Sequence, residues 1–150
     1  MRVAVGSDHR GFDLKQRLLE LITGLGHTVV DVGTDSRAST DYPDFAAKVC
    51  RLVIERQVDR GILICGTGIG MSITANKFAG IRAAICNDVL TAEISRRHND
   101  LNVLCLSGDL LGQRNIEPLI KVWLETGFEG GRHARRIEKI ARLERDQDGC

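Results

Sequence analysis

Five short runs rich in Val, Ile and Leu recur along the chain, each followed by a longer segment of helical period. That alternation is the pattern of a parallel sheet covered by helices, and it leaves few other folds open. The runs are VAVGSD from Val3, TVVDVG from Thr28, RGILIC from Arg60, GIRAAIC from Gly80 and LNVLCLSG from Leu101. Between the first two, Phe12, Leu14, Leu18, Leu21, Ile22 and Leu25 mark one helical face, with Gly24 and Gly26 as a stop. After a polar loop containing Pro43, a helix is expected from about Phe45 to Arg56. Further helices are expected from the glycine turn after Cys65 to about Phe78, over VLTAEISRRH, over NIEPLIKVWLETG and in a basic segment from Gly130.

The 150 residues carry no linker, internal repeat or low-complexity segment, so residues 1–150 read as one α/β domain. No apolar run approaches the roughly 18 residues a spanning helix needs. The opening MRVAVGSDHRG reads as a strand and not a signal peptide, so the expected location is cytoplasmic. A net charge of +1 and an aromatic content of 4% exclude a global field for nucleic acid or membrane and a base-stacking platform. The five cysteines are odd in number and nowhere spaced C-x-x-C, which argues against a disulfide framework or zinc cage.

In doubly wound sheets ligands gather beyond the carboxyl ends of the strands. Asp8 and His9 follow the first strand there, Asp41 and Tyr42 sit before the second helix, Cys65 ends the third strand, and His98 and Asn99 precede the fifth. Cys65 is the most informative, because it runs into Gly66-Thr67-Gly68-Ile69-Gly70 at a helix N-terminus. Unpaired amides and the helix dipole lower a thiol pKa, so a thiolate base or nucleophile is expected there, and the same amides suit a phosphate or an oxyanion. Cys50 and Cys105 read as packing, Cys86 lacks a following glycine turn, and Cys150 reads as exposed. The glycine loop is not a Walker A loop, and Met71 stands where the last glycine of a dinucleotide fingerprint belongs, so no nucleotide cofactor is expected. No acidic or histidine cluster is spaced for a metal. Arg132 and Arg136, at i and i+4 with His133 close by, suit either a phosphate or a solvated basic helix.

The segments GSDHRGFDLK, TDYPDF, GILICGTGIGMSITANKFAGIRAAIC, SRRHNDLNVL and GFEGGRHARRIEKI resemble the ribose-5-phosphate isomerase B family, which includes galactose- and allose-6-phosphate isomerases. The resemblance runs from the first strand to the terminal helix. It implies a three-layer Rossmann-like α/β/α fold with a five-stranded parallel sheet and a C-terminal helix, in a homodimer or tetramer whose active sites draw on both subunits. It also implies interconversion of D-ribose 5-phosphate and D-ribulose 5-phosphate through an enediolate, without metal or cofactor. By that resemblance Cys65 is the base at carbon 2, Thr67 with the amides of Gly66, Gly68, Ile69 and Gly70 stabilises the enediolate, and His98 opens the furanose ring. Asp8, Tyr42 and Asn99 match contacts to sugar hydroxyls, and His9, Arg132 and Arg136 match a phosphate site.

One departure stands out: Asp109 occupies a position where many ribose-phosphate members carry arginine. If it faces the phosphate, the reversed charge weakens binding unless another cation, such as Arg114, compensates; if it faces solvent, nothing follows. The other functions open to this sequence are isomerisation of a hexose 6-phosphate or a free rare sugar, a non-catalytic sugar-phosphate sensor, and a redox protein using Cys65.

Overall fold

The computed structural model describes residues 1–148. Five strands, β1 (Arg2–Ser7), β2 (Thr28–Asp31), β3 (Arg60–Cys65), β4 (Ala83–Ile85) and β5 (Val103–Ser107), form one all-parallel sheet in the order β2-β1-β3-β5-β4. Helices α1 (Phe12–Gly24), α4 (Val89–Asn99), α5 (Gly108–Leu111) and α6 (Glu117–Glu125) pack on one face, while α2 (Tyr42–Ile54) and α3 (Ile69–Ala75) pack on the other. Helix α7 (Arg132–Asp148) lies against α4. Because both sheet faces are covered, the central strands are apolar on both sides, and β1, β3 and β5 are buried almost throughout.

The expected elements form, with boundaries moved for local reasons. Helix α2 begins at Tyr42 instead of Phe45, since Pro43 in the first turn has the φ a helix requires and no N–H to lose. Helix α3 ends at Ala75 instead of Phe78. There the Asn76 side-chain amide bonds both backbone groups of Ala83, at 2.8 and 2.9 Å, and ties the chain to the start of β4. Helix α1 stops where its glycines foretell, with Gly26 left-handed at φ 86°. Its buried stripe also contains Lys15, which reaches Asp31 of β2 at 2.6 Å, so an ion pair sits where periodicity alone expects an apolar face. The one-turn α5 was not anticipated, and Cys150 lies outside the described residues.

Trp123 of α6 anchors the core on the α1 side, fully buried beneath the Arg60 guanidinium 5.3 Å away. Arg60 also donates to the Trp123 and Leu124 carbonyls, closing the carboxyl end of α6. The indole N–H has no partner among the described residues, so Trp123 contributes volume and not a hydrogen bond. Trp123→Ala is expected to cost about 3–5 kcal/mol in urea unfolding followed by circular dichroism, and Trp123→Phe distinctly less. Equal losses in the two variants would show that volume is not what the residue supplies.

Candidate active site at the carboxyl edge of the sheet

The chain leaves β1 toward β2 on one side and reaches β3 on the other, so a crevice opens beyond the carboxyl ends of β1 and β3. Parallel register brings Ser7 opposite Ile64, and Cys65 opposite Ser107 of β5, so three strands end at one level. Asp8 is buried just past β1, where its amide donates to the Ile64 carbonyl at 3.2 Å. Its Oδ1 accepts from the amides of Arg10 and Gly11 at 3.0 and 3.1 Å. One carboxylate oxygen therefore shapes the turn into α1, while Oδ2 makes no hydrogen bond among the described residues. His9 Nδ1 accepts from the Thr40 amide at 3.2 Å, which leaves Nε2 to carry the proton of the neutral ring.

Cys65 ends β3, and only 5% of its surface is exposed. The Gly68 amide donates to its sulfur at 3.1 Å, the polarity that a sulfur anion accepts. Gly68 is left-handed at φ 81°, which turns the chain so that this amide faces back toward the sulfur. A Cβ on Gly70 would lie 2.5 Å from the Tyr42 ring, so the bare Gly70 lets that ring rest on the loop. Thr67 is exposed, and its oxygen accepts from the Ile69 amide at 3.2 Å, which leaves the hydroxyl proton free to donate outward. Asp8, His9, Tyr42, Cys65 and the Gly66–Gly70 loop thus come together as expected. The difference lies in α3, whose seven residues supply two turns of dipole, so the loop amides are the larger part of the electrostatics.

His98, Asn99, Arg132 and Arg136 do not join them. Helix α4 runs antiparallel to the strands, so its last residues, His98 and Asn99, lie at the amino edge of the sheet. Arg82, just before β4, accordingly donates to the Asn99 carbonyl at 3.0 Å. The expectation that His98 and Asn99 share the carboxyl edge is therefore corrected. Strands of five or six residues separate the two edges by about 17–20 Å. Arg132 and Arg136, in the first turns of α7, are exposed beside His98 through His133, whose ring stacks on His98 with centroids 4.1 Å apart and planes within 8°.

Glu129 joins this pair, its Oε2 lying 3.8 Å from His98 Nε2 and 3.6 Å from His133 Nε2. The sequence spacing shows no such cluster, because His98 is brought in by folding from 31 residues before Glu129, and Gly130 and Gly131 interrupt the helical period between Glu129 and His133. Metal ligands need lone pairs that converge at about 2.0–2.1 Å from nitrogen, whereas imidazole lone pairs in parallel stacked planes do not meet. The three side chains make an electrostatic group with Arg97, which pairs with Glu129 at 2.5 Å. Sequence reasoning also missed Arg10, which forms an ion pair with Asp109 across the mouth of the glycine loop. The partners stand 99 residues apart, and no periodicity connects them. Arg114, the expected compensating cation, makes no side-chain hydrogen bond among the described residues; Arg17 donates to its carbonyl at 2.7 Å.

A doubly wound α/β protein with a thiol, an amide-lined turn and a buried carboxylate at its switch point has the parts for acid–base or nucleophilic chemistry on a small anionic ligand. Residues 3–140 match the family model described as Ribose/Galactose Isomerase, and the chain belongs to that family. It is 46% identical to ribose-5-phosphate isomerase B of Escherichia coli K12 over 95% of this chain and 96% of that one. A solved structure of the Clostridium thermocellum ribose-5-phosphate isomerase B superposes with a TM-score of 0.95 at 44% identity, covering 98% of this chain and 99% of that chain. The Mycoplasma genitalium ribose-5-phosphate isomerase B, solved with bound ribulose-5-phosphate, superposes at 0.91 with 41% identity over 96% of each chain.

Burial first, and then the neighbouring charges of His98, Arg132 and Arg136, hold the His133 pKa below the usual histidine range against the opposing pull of Glu129. The folded state therefore binds this proton less readily than the unfolded chain. The resulting stability is complete above about pH 6.5 and declines as pH falls through that value. The urea midpoint is expected to drop between about pH 7.5 and 5.5, and to drop less in His133→Phe, which keeps a stacking ring without the titration. A pH slope identical in the two proteins would remove His133 as its source.

Proposed function

We propose that this protein interconverts D-ribose 5-phosphate and D-ribulose 5-phosphate through an enediolate, with Cys65 as the base at carbon 2. The observation that carries the reading is the buried Cys65 sulfur at the switch-point crevice, accepting the Gly68 amide at 3.1 Å beside a turn of bare glycines. An aldose–ketose exchange needs one base to take the C2 proton while negative charge moves onto the carbonyl oxygen at C1. Transfer of the O2 proton to O1 and return of the C2 proton to C1 then yield the ketone. Every step is a proton transfer, which a positioned side chain supports without a redox cofactor. The free Thr67 hydroxyl proton and the loop amides not bonded to Cys65 or Thr67 stabilise the developing oxyanion. Asp8 and Tyr42 hold sugar hydroxyls, and His9 meets the phosphate with its Nε2 proton.

The second half of the site comes from another copy of the chain. His98, as ring opener, Asn99, Arg132 and Arg136 stand at the amino edge, about 17–20 Å from Cys65 by strand length, too far to serve the same small sugar within one subunit. A homodimer that sets the amino edge of one subunit against the carboxyl edge of the other completes two such sites. Ile69 and Ile73, one turn apart on α3, and Leu90 of α4 are 53%, 59% and 63% exposed beside the edge strand β4, which supports a covered face there.

The reading is tested by ribulose 5-phosphate formation from ribose 5-phosphate, in chelator, for wild type and Cys65→Ala. Loss of a general base is expected to lower the rate by about a hundredfold to ten-thousandfold. Inactivity of the folded wild type would sink the pentose assignment and turn attention to hexose 6-phosphates, and full activity in the variant would sink Cys65 as base. The shared site makes a separate prediction for Cys65→Ala and His98→Ala, each inactive alone. Subunit exchange between them is expected to restore roughly a quarter of wild-type activity, because half of the randomly formed dimers carry one intact site. No recovery, despite exchange verified by mass spectrometry, would show that each site is built within one subunit.

A further inference from the structure

We propose that Arg10 is a phosphate-binding residue of this site and that Asp109 is the counter-ion that pairs with it, an arrangement resting on the sugar-phosphate reading above. Arg10 follows Asp8 and His9 in the turn after β1, where the Asp8 carboxylate holds its amide at 3.0 Å. From there its side chain crosses the crevice. A Cβ added to Gly66 would lie 2.9 Å from Nε and 3.0 Å from Cζ of Arg10, so the guanidinium rests directly on the backbone of the residue following Cys65. Its far end pairs with Asp109 through Nη2.

Asp109 is itself tied to the loop, its amide donating to the Gly66 carbonyl at 3.1 Å, an oxygen that also accepts from Ser107 Oγ at 2.7 Å. The β1, β3 and β5 turns are therefore joined around one guanidinium. That cation is far from saturated. Arginine offers five N–H donors, of which, among the described residues, only an Nη2 proton is committed, and the Arg10 side chain is 57% exposed. An exposed pair of this kind adds little to stability, so its position over the loop is the informative feature. A forked cation with open donors, resting on the glycine loop that follows Cys65, fits a phosphate dianion.

The same geometry accounts for the reversed charge at position 109. The positive charge at this rim stands on the β1 turn over Gly66, and Asp109 is its counter-ion. The Asp109 carboxylate and a phosphate therefore compete for the Arg10 guanidinium, and the two residues make opposite predictions.

The test is steady-state isomerisation of ribose 5-phosphate together with competitive inhibition by inorganic phosphate, for wild type, Arg10→Gln and Asp109→Asn. Arg10→Gln is expected to raise both KM and the phosphate inhibition constant by roughly tenfold or more, the loss of one charge-assisted contact. Asp109→Asn keeps the cation and removes a nearby anion, so its phosphate inhibition constant is expected to stay within about twofold of wild type or to fall. If both variants weaken phosphate equally, the pair serves only to brace the loop and the proposal is overturned. It is equally overturned if Arg10→Gln leaves phosphate inhibition unchanged, or loses kcat alone. Should Arg10→Gln fail to fold, a weaker phosphate constant in Asp109→Asn still overturns the proposal, and a tighter one supports it. Should the wild type not isomerise ribose 5-phosphate, phosphate binding followed calorimetrically in the same three proteins tests Arg10 independently of the pentose assignment.

Discussion

Parallel register is the constraint on which the rest of this molecule depends. Because Ser7 pairs with Ile64, and Cys65 with Ser107, the turns after β1, β3 and β5 leave the sheet at one level and meet. Helices must cover both faces of such a sheet, so polar groups can gather only at its two edges. At the carboxyl edge they do so densely. The Ile64 carbonyl receives Asp8, the Gly66 carbonyl receives Ser107 and Asp109, and Arg10 spans the gap. The thiol of Cys65 is held within this lattice of short contacts and not merely placed beside it.

The other cysteines show how much the surroundings matter to the same side chain. Cys50 is fully buried among α2 and sheet side chains, and burial pushes its thiol up to about 12; burial drives Cys105 up as well. Cys86, just past β4, is also raised by burial, although the neighbouring Ser95 and Thr91 hydroxyls oppose the shift. These are small hydrophobes in a packed interior. Cys65 is nearly as inaccessible but accepts a backbone N–H from a left-handed glycine. A turn that presents a donor to sulfur, and not exposure, is what distinguishes it.

At the opposite edge, His98, His133, Glu129 and Arg97 form one charged group. His133 is the buried member, and Glu129 is kept ionised first by its hydrogen bond from Arg97. Stacking fixes the His98 ring plane, so a ring-opening role for His98 rests on a neighbour as much as on the residue itself. The proposed sharing of the site between two subunits rests on the separation of these groups at opposite edges of one sheet.

Alternation of apolar runs with helical segments was enough to determine the α/β class, the five parallel strands and the Cys65 turn, because these follow from local period and from glycines beside a strand end. The residues adjoining Asp8 and Cys65 were legible for the same reason, since strand ends in such sheets converge. The placement of His98 was not legible, because sequence proximity to a strand does not tell which edge a helix end reaches; the antiparallel run of α4 decided it. The pairing of Arg10 with Asp109, the burial of Lys15 against Asp31, and the gathering of Glu129 with two histidines were likewise decided only by tertiary structure. Such contacts join charges far apart in the chain, and electrostatic partners of that kind have no period to read.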